Sequence, residues 1–222
     1  MNEVLSTISK SDYTKNYLSL SLKINLIGDT SVGKTSIIVQ YIKKEFIETF
    51  ETIGIECYKK EVIIEEYKFN LNIWDTAGQR IYRNLTKSSI RGVDILMIVF
   101  DVTNRNSFEN LDIWYKDIVN FIDINKIIIC IVANKMDISE KQEVLYDEYY
   151  NYSKSINAFL YEISAKNFDT VNQMFENSIF NYYHKFLMNN QNLGNLNTNE
   201  ENFALTNKEL NKKNVKVKHK CC

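Results

Sequence analysis

Proline is absent from this chain, and glycine occurs only six times in 222 residues. With both punctuating residues so scarce, each glycine marks a place where the backbone must turn sharply or be approached closely. No run of 18 or more apolar residues occurs, so no membrane-spanning helix is expected. The N-terminus lacks a basic-then-apolar pattern, and a cytosolic protein is expected. The second residue is Asn, not Gly, which excludes N-myristoylation. Net charge is only -1, so the chain as a whole is no general polyanion binder. Of four cysteines, Cys57 and Cys130 fall in apolar strand-like runs and are expected to be reduced core thiols; the other two close the chain.

What is present suits one sizeable domain and a tail: 45% of the residues are apolar. Residues 1–17 are polar and read as a loose extension. From 18 to 188, apolar runs alternate with helical patterns. The spacing predicts strands over 19–27, 55–64, 67–75, 93–101, 126–133 and 158–163, and helices over 34–44, 85–91, 106–122, 144–156 and 168–187. The runs Val93–Phe100 and Ile127–Val132 are almost continuously apolar, as strands covered by helices on both faces are. Runs 55–64 and 67–75 are separated only by a polar turn near Glu65-Glu66 and read as an antiparallel hairpin at one edge. The expected fold is a three-layer α/β domain with a six-stranded, mostly parallel sheet, one antiparallel edge strand and helices on both faces. Residues 189–222 are Asn-rich, then Lys-rich, and read as a disordered tail.

Four short motifs fall at the carboxyl ends of the expected strands, where ligands sit in such sheets. Gly28-Asp29-Thr30-Ser31-Val32-Gly33-Lys34-Thr35 follows an apolar run and fits G-x-x-x-x-G-K-[ST]. Such a loop turns backbone N–H groups around a phosphate. Lys34 would reach the β- and γ-phosphates, and the Thr35 hydroxyl would ligate Mg²⁺. Taken alone, the string could also be an ordinary strand–helix turn. In Trp74-Asp75-Thr76-Ala77-Gly78-Gln79, an acid ending an apolar strand can hold Mg²⁺ through water, or simply cap a helix. Gly78 leaves its N–H free to approach a γ-phosphate. In Asn134-Lys135-Met136-Asp137, a carboxylate can accept both N–H groups on the edge of guanine, a pair adenine does not offer. In Ser164-Ala165-Lys166, the Ala165 N–H would meet guanine O6.

Together the four motifs resemble those of the small GTPase superfamily over residues 18–188. Within it the chain looks most like the Rab family, through Thr52-Ile53-Gly54-Ile55, Lys68-Phe69-Asn70-Leu71-Asn72-Ile73-Trp74-Asp75, Phe100-Asp101-Val102-Thr103-Asn104 and Ser107-Phe108. The resemblance implies a GTP-binding and GTP-hydrolysing switch that regulates vesicle-mediated membrane traffic. It implies that Asp29, Thr30, Ser31, Val32, Gly33, Lys34, Thr35 and Ser36 cradle the phosphates. Thr35, Thr52 and Asp75 would hold Mg²⁺, and Gly78 would sense the γ-phosphate. Asn134, Lys135, Asp137, Ser164, Ala165 and Lys166 would take the guanine. Phe46 would stack on that base from the side, or serve as a core aromatic. Gln79 would orient the attacking water, and Lys34 would neutralise developing charge. Implied partners are GTP and GDP, an exchange factor, a GTPase-activating protein, an escort protein, a GDP-dissociation inhibitor, and effectors on switches I and II. A monomer is expected, with no nucleic acid bound.

The chain departs from the family at several points. Gly78-Gln79-Arg80-Ile81 stands where Rab proteins usually read Gly-Gln-Glu-Arg, and Ser89-Ile90 replaces an aromatic pair expected to meet effectors. Switch I is about one residue short between Phe46 and Thr52. The departures leave room for an alternative, a nucleotide-locked and catalytically inert GTP-binding scaffold at a membrane. Gln79 argues against that alternative, and Asp137 argues against a general P-loop ATPase. The chain ends Lys218-His219-Lys220-Cys221-Cys222, and residues 208–222 carry six lysines against one acid, Glu209. Paired terminal cysteines after a flexible spacer resemble the Rab double-prenylation signal. Geranylgeranyl groups on Cys221 and Cys222 would anchor the protein to the cytoplasmic face of an endomembrane, leaving a soluble cytosolic pool, and the lysines would add attraction to anionic lipid.

Overall fold

A computed structural model describes residues 17–47, 51–78 and 88–188. Six strands form one sheet: β1 (Leu18–Ile27), β2 (Ile55–Ile64), β3 (Tyr67–Thr76), β4 (Ile95–Asp101), β5 (Ile128–Asn134) and β6 (Phe159–Glu162). Their order across the sheet is β2-β3-β1-β4-β5-β6. Only β2 pairs antiparallel, on β3, as the sequence implies for an edge hairpin. Glu65 takes a left-handed φ of 54° in the turn between them.

The continuous apolar runs have a simple cause. In β4, Ile95, Met97 and Val99 point into one core, while Leu96, Ile98 and Phe100 point into another on the opposite face. Strand β5 divides in the same way, with Ile128, Cys130 and Val132 on one side and Ile129, Ile131 and Ala133 on the other. Alternate side chains of a strand face opposite ways, so two covered faces require apolar residues at every position. Helices α1 (Lys34–Lys43) and α5 (Phe168–Tyr182) cover the first core. Helices α3 (Leu111–Val119) and α4 (Tyr146–Ser155) cover the second.

Three expectations change. The helix expected over 106–122 forms as two pieces, α2 (Arg105–Glu109) and α3, with Asn110 at the joint. The last helix does not stay α-helical to its end but widens into a π turn over Tyr183–Met188. Cys57 is exposed and is no core thiol, because the first half of edge strand β2 carries no covering layer on that face; Cys130 is buried as expected. The N-terminal extension, Gln79, Arg80, Ile81, the start of the helix expected over 85–91, and the tail with Cys221 and Cys222 lie outside the described residues.

Candidate functional site

A cleft of about 340 Å³ opens at the carboxyl ends of the central strands. Most of its lining comes from the four motifs, with Ser36 and Thr52 added. Thr30, Ser31, Gly33, Lys34, Thr35 and Ser36 supply the floor; Thr52, Thr76 and Gly78 one side; Asn134, Lys135 and Asp137 the far end; and Ala165 and Lys166 its flank. Phe46 also lines the cleft. At 40% exposure it is not a core aromatic, and its ring lies 5.7 Å from Lys166 Nζ.

The phosphate loop connects β1 to α1, and its backbone is left-handed at Gly28 (φ 138°), Ser31 (φ 63°) and Gly33 (φ 97°). At Gly33 a Cβ would fall 2.4 Å from Asn134 Nδ2, so both the dihedral and the space call for glycine. Gly33 also caps α1, which aims that helix's free N–H groups and positive dipole end at the cleft. Lys34 is 6% exposed, and its Nζ donates to the carbonyls of Gly28 (2.9 Å) and Asp29 (2.7 Å). Burial pushes its ammonium down to about 8, against the opposing pull of the Asp75 and Asp29 charges. An anion in the loop would supply the compensation that burial withholds. Val32 is buried among the core side chains, so only its backbone is available to the loop.

Hard oxygens gather beside the loop. Thr35 Oγ1 donates to Asp75 Oδ2 at 2.6 Å, Thr52 Oγ1 reaches the same oxygen at 3.3 Å, and the two hydroxyls lie 2.7 Å apart. Asp75 is fully buried, and its Oδ1 has no hydrogen-bond partner. Burial raises its carboxyl above the usual range, while the hydrogen bond from Thr35, the Lys34 charge and the bond from Thr52 oppose the rise. Two hydroxyls and a carboxylate whose buried Oδ1 is left without a partner fit a small hard cation such as Mg²⁺. The helix-cap alternative for Asp75 fails, since the residue sits inside β3. Gly78 lies directly against the loop: a Cβ there would come within 2.3 Å of Asp29 C and Thr30 N.

At the far end, Asp137 Oδ1 accepts from Ser164 Oγ at 2.6 Å, and its Oδ2 pairs with Lys166 Nζ at 2.9 Å. Partial burial opposes its charge, but the Ser164 and Lys166 hydrogen bonds hold its carboxyl below the usual range. An ionised carboxylate is what a guanine edge requires. Asn134 is fully buried and braces two loops: Nδ2 donates to Val32 O at 2.8 Å, and Oδ1 accepts from Ala165 N at 3.0 Å. The Ala165 N–H expected on guanine O6 thus donates to Asn134 in this structure. Lys135 takes a left-handed φ of 69°, and its Nζ pairs with Asp101 Oδ2 at 2.6 Å.

Sequence reasoning misses several contributors, among them Gln40 and Thr76, with Glu51 and Ile138 also lining the cleft. Gln40, buried in α1, donates from Nε2 to Lys166 O at 3.0 Å and ties the phosphate-loop helix to the 164–166 loop. Its signal was a lone amide within an otherwise apolar helical face. Thr76 lines the cleft and donates to Leu26 O at 2.8 Å. Conversely, Ser89 and Ile90, expected to meet effectors, are both buried. Ser89 Oγ accepts from Asn25 Nδ2 at 2.9 Å, and Ile90 packs into the second core.

Comparison with known proteins gives the same answer as the geometry. The Ras family model matches residues 23–184. The chain is 38% identical over 158 residues to the Ras-related protein RABC2b of Arabidopsis thaliana, covering 71% of this chain and 77% of that protein. It is 37% identical over 158 residues to RABC2a of the same plant, covering 71% and 75%. It is 34% identical over 156 residues to the Ras-related protein RabQ of Dictyostelium discoideum, covering 70% and 76%. With a sheet of this order, a glycine-capped phosphate loop and a carboxylate at the base end of the cleft, the chain belongs to the Ras family of small GTPases and, within it, to the Rab family.

Proposed function

We propose that this protein is a slow, activator-dependent GTPase switch that regulates membrane traffic from the cytoplasmic face of an endomembrane. The observation that carries the reading is the cleft itself, with a lysine-bearing phosphate loop at one end and an ionised Asp137 at the other. The loop's N–H groups and Lys34 would hold the phosphates, and Asp137, seated by Ser164 and Lys166, would select guanine. Thr35, Thr52 and Asp75 would hold Mg²⁺, which when bound supplies charge neutralisation at the phosphate oxygens. Gln79 would orient a water for in-line attack on the γ-phosphate, and Lys34 would stabilise the charge that moves onto the leaving GDP.

Among the described residues no arginine lines the cleft. Unaided turnover is therefore expected at about 10⁻⁴ to 10⁻³ s⁻¹, the range of Ras-type enzymes acting alone, with an arginine supplied by an activating protein. Thr52 and Gly78 each lie on a loop that the γ-phosphate would hold in place, and hydrolysis would release both. Partners would then read loop conformation. Prenyl groups on Cys221 and Cys222 would hold the switch at the membrane, since two chains anchor stably where one is marginal.

Identifying the co-purifying nucleotide, and then comparing the affinities for GDP, ADP and XDP, tests the reading. Guanine is expected, with Asp137→Asn moving preference toward xanthine by 10-fold or more. Bound adenine nucleotide, or no shift in Asp137→Asn, would contradict it.

A further inference from the structure

The phosphate loop is held in place at several points, and one of them is a side chain that faces away from the cleft. Left-handed backbone at a non-glycine residue such as Ser31 persists only where its surroundings fix it. Asn134 fixes the loop through the Val32 carbonyl, and Lys34 fixes it through the carbonyls of Gly28 and Asp29. The Asp29 carboxylate supplies a further hold. Its Oδ2 accepts from Asn110 Nδ2 at 2.6 Å, and its Oδ1 accepts from the indole Nε1 of Trp114 at 2.8 Å. Asn110 is the joint between α2 and α3, and Trp114 is 2% exposed, so both donors sit on packed helical structure.

The two donors ask for two acceptors. Aspartate supplies one oxygen to each. Asparagine supplies a single oxygen and turns an NH₂ group toward the other donor. Cleft geometry needs only the Asp29 backbone, so the side-chain contacts are a separate feature.

We propose that Asp29 is a positioning residue for nucleotide retention. Its carboxylate locks the N-terminal half of the phosphate loop to α3 through Asn110 and Trp114, and release of that lock speeds nucleotide loss. The proposal rests on the reading of the cleft as a guanine-nucleotide site and adds a determinant of residence time to it.

The test uses the full chain loaded with a fluorescent GDP analogue, with release followed in excess unlabelled GDP and Mg²⁺. Asp29→Asn and Trp114→Phe should each release nucleotide about fivefold to tenfold faster, the scale of one or two lost hydrogen bonds. In Asp29→Asn combined with Asn110→Asp, the new amide can donate to the new carboxylate and still accept from Trp114. That double variant should return toward the wild-type rate, a non-additivity that separate effects would not give. If the wild type retains GDP and both single variants release at its rate, even with lowered unfolding temperatures, the contacts are merely structural and the proposal fails. It also fails if the swapped pair releases as fast as Asp29→Asn alone. A wild type that retains no guanine nucleotide overturns the reading of the cleft together with the proposal.

Discussion

At Gly78 the missing Cβ matters more than any side chain could. A methyl group there would lie 2.3 Å from the backbone of Asp29 and Thr30, so the phosphate loop or the Gly78 strand end must move. Gly78→Ala is expected to weaken GTP binding by 10-fold or more in a nucleotide titration, with a smaller effect on GDP if the Gly78 N–H meets the γ-phosphate. Equal affinities to wild type for both nucleotides would remove Gly78 from the site. The residues of the cleft were mostly legible in the sequence because each belongs to a short motif with fixed spacing. Their partners were less so. Asn134 is expected at the base, and its two hydrogen bonds also join loops 102 and 31 residues away; no local pattern announces such a brace. Cys57 was misread because an apolar neighbourhood does not reveal which face of an edge strand is covered.

Elements carry the next level of the account, since the cleft is an arrangement of loops that strands and helices hold in register. Asn134 joins the phosphate loop to the 164–166 loop from the end of β5. Asn134→Ala would leave the Val32 carbonyl and the Ala165 N–H without that partner, at about 1–3 kcal/mol for each. An unfolding midpoint lower by roughly 4–24 °C is expected, at about 2–4 °C per kcal/mol for a domain of this size. A change of less than about a degree would show that the brace is not load-sharing. Gln40 ties α1 to Lys166 on the base side. Gln40→Leu should raise the Kd for GDP severalfold while leaving hydrolysis of bound GTP unaltered, because the contact is made to the 164–166 loop on the base side. Element types and their order along the chain are readable from the pattern: apolar runs split by the Glu65-Glu66 turn for β2 and β3, nearly unbroken apolar runs for β4 and β5, and helical spacing for the helices. The break at Asn110 is not, because Asn110 keeps dihedrals in the helical region (φ -74°, ψ -11°), and its side-chain partner Asp29 lies 81 residues away in the sequence.

For the whole molecule, the proposed switch and the proposed anchor should separate. The last described helical segment closes at Met188, and the lysines of 208–222 and the paired cysteines come later in the sequence. Replacing Cys221 and Cys222 together by Ser is expected to move the protein from the membrane fraction of cells to the soluble fraction, with GDP affinity unchanged. Retention on membranes would assign the attachment to another feature. Among the described residues no helix is long and apolar enough to cross a membrane. The central claim is that the cleft turns over GTP slowly and that Gln79 is the residue that makes turnover possible. Its most direct test is single-turnover phosphate release from protein loaded with GTP and Mg²⁺, in the wild type and in Gln79→Leu. Slow release over tens of minutes to hours that is abolished in Gln79→Leu is the expected result. Equal release from both proteins, or none from either even when cell extract is added, would contradict it, and the second outcome would make the protein an inert nucleotide-bound scaffold.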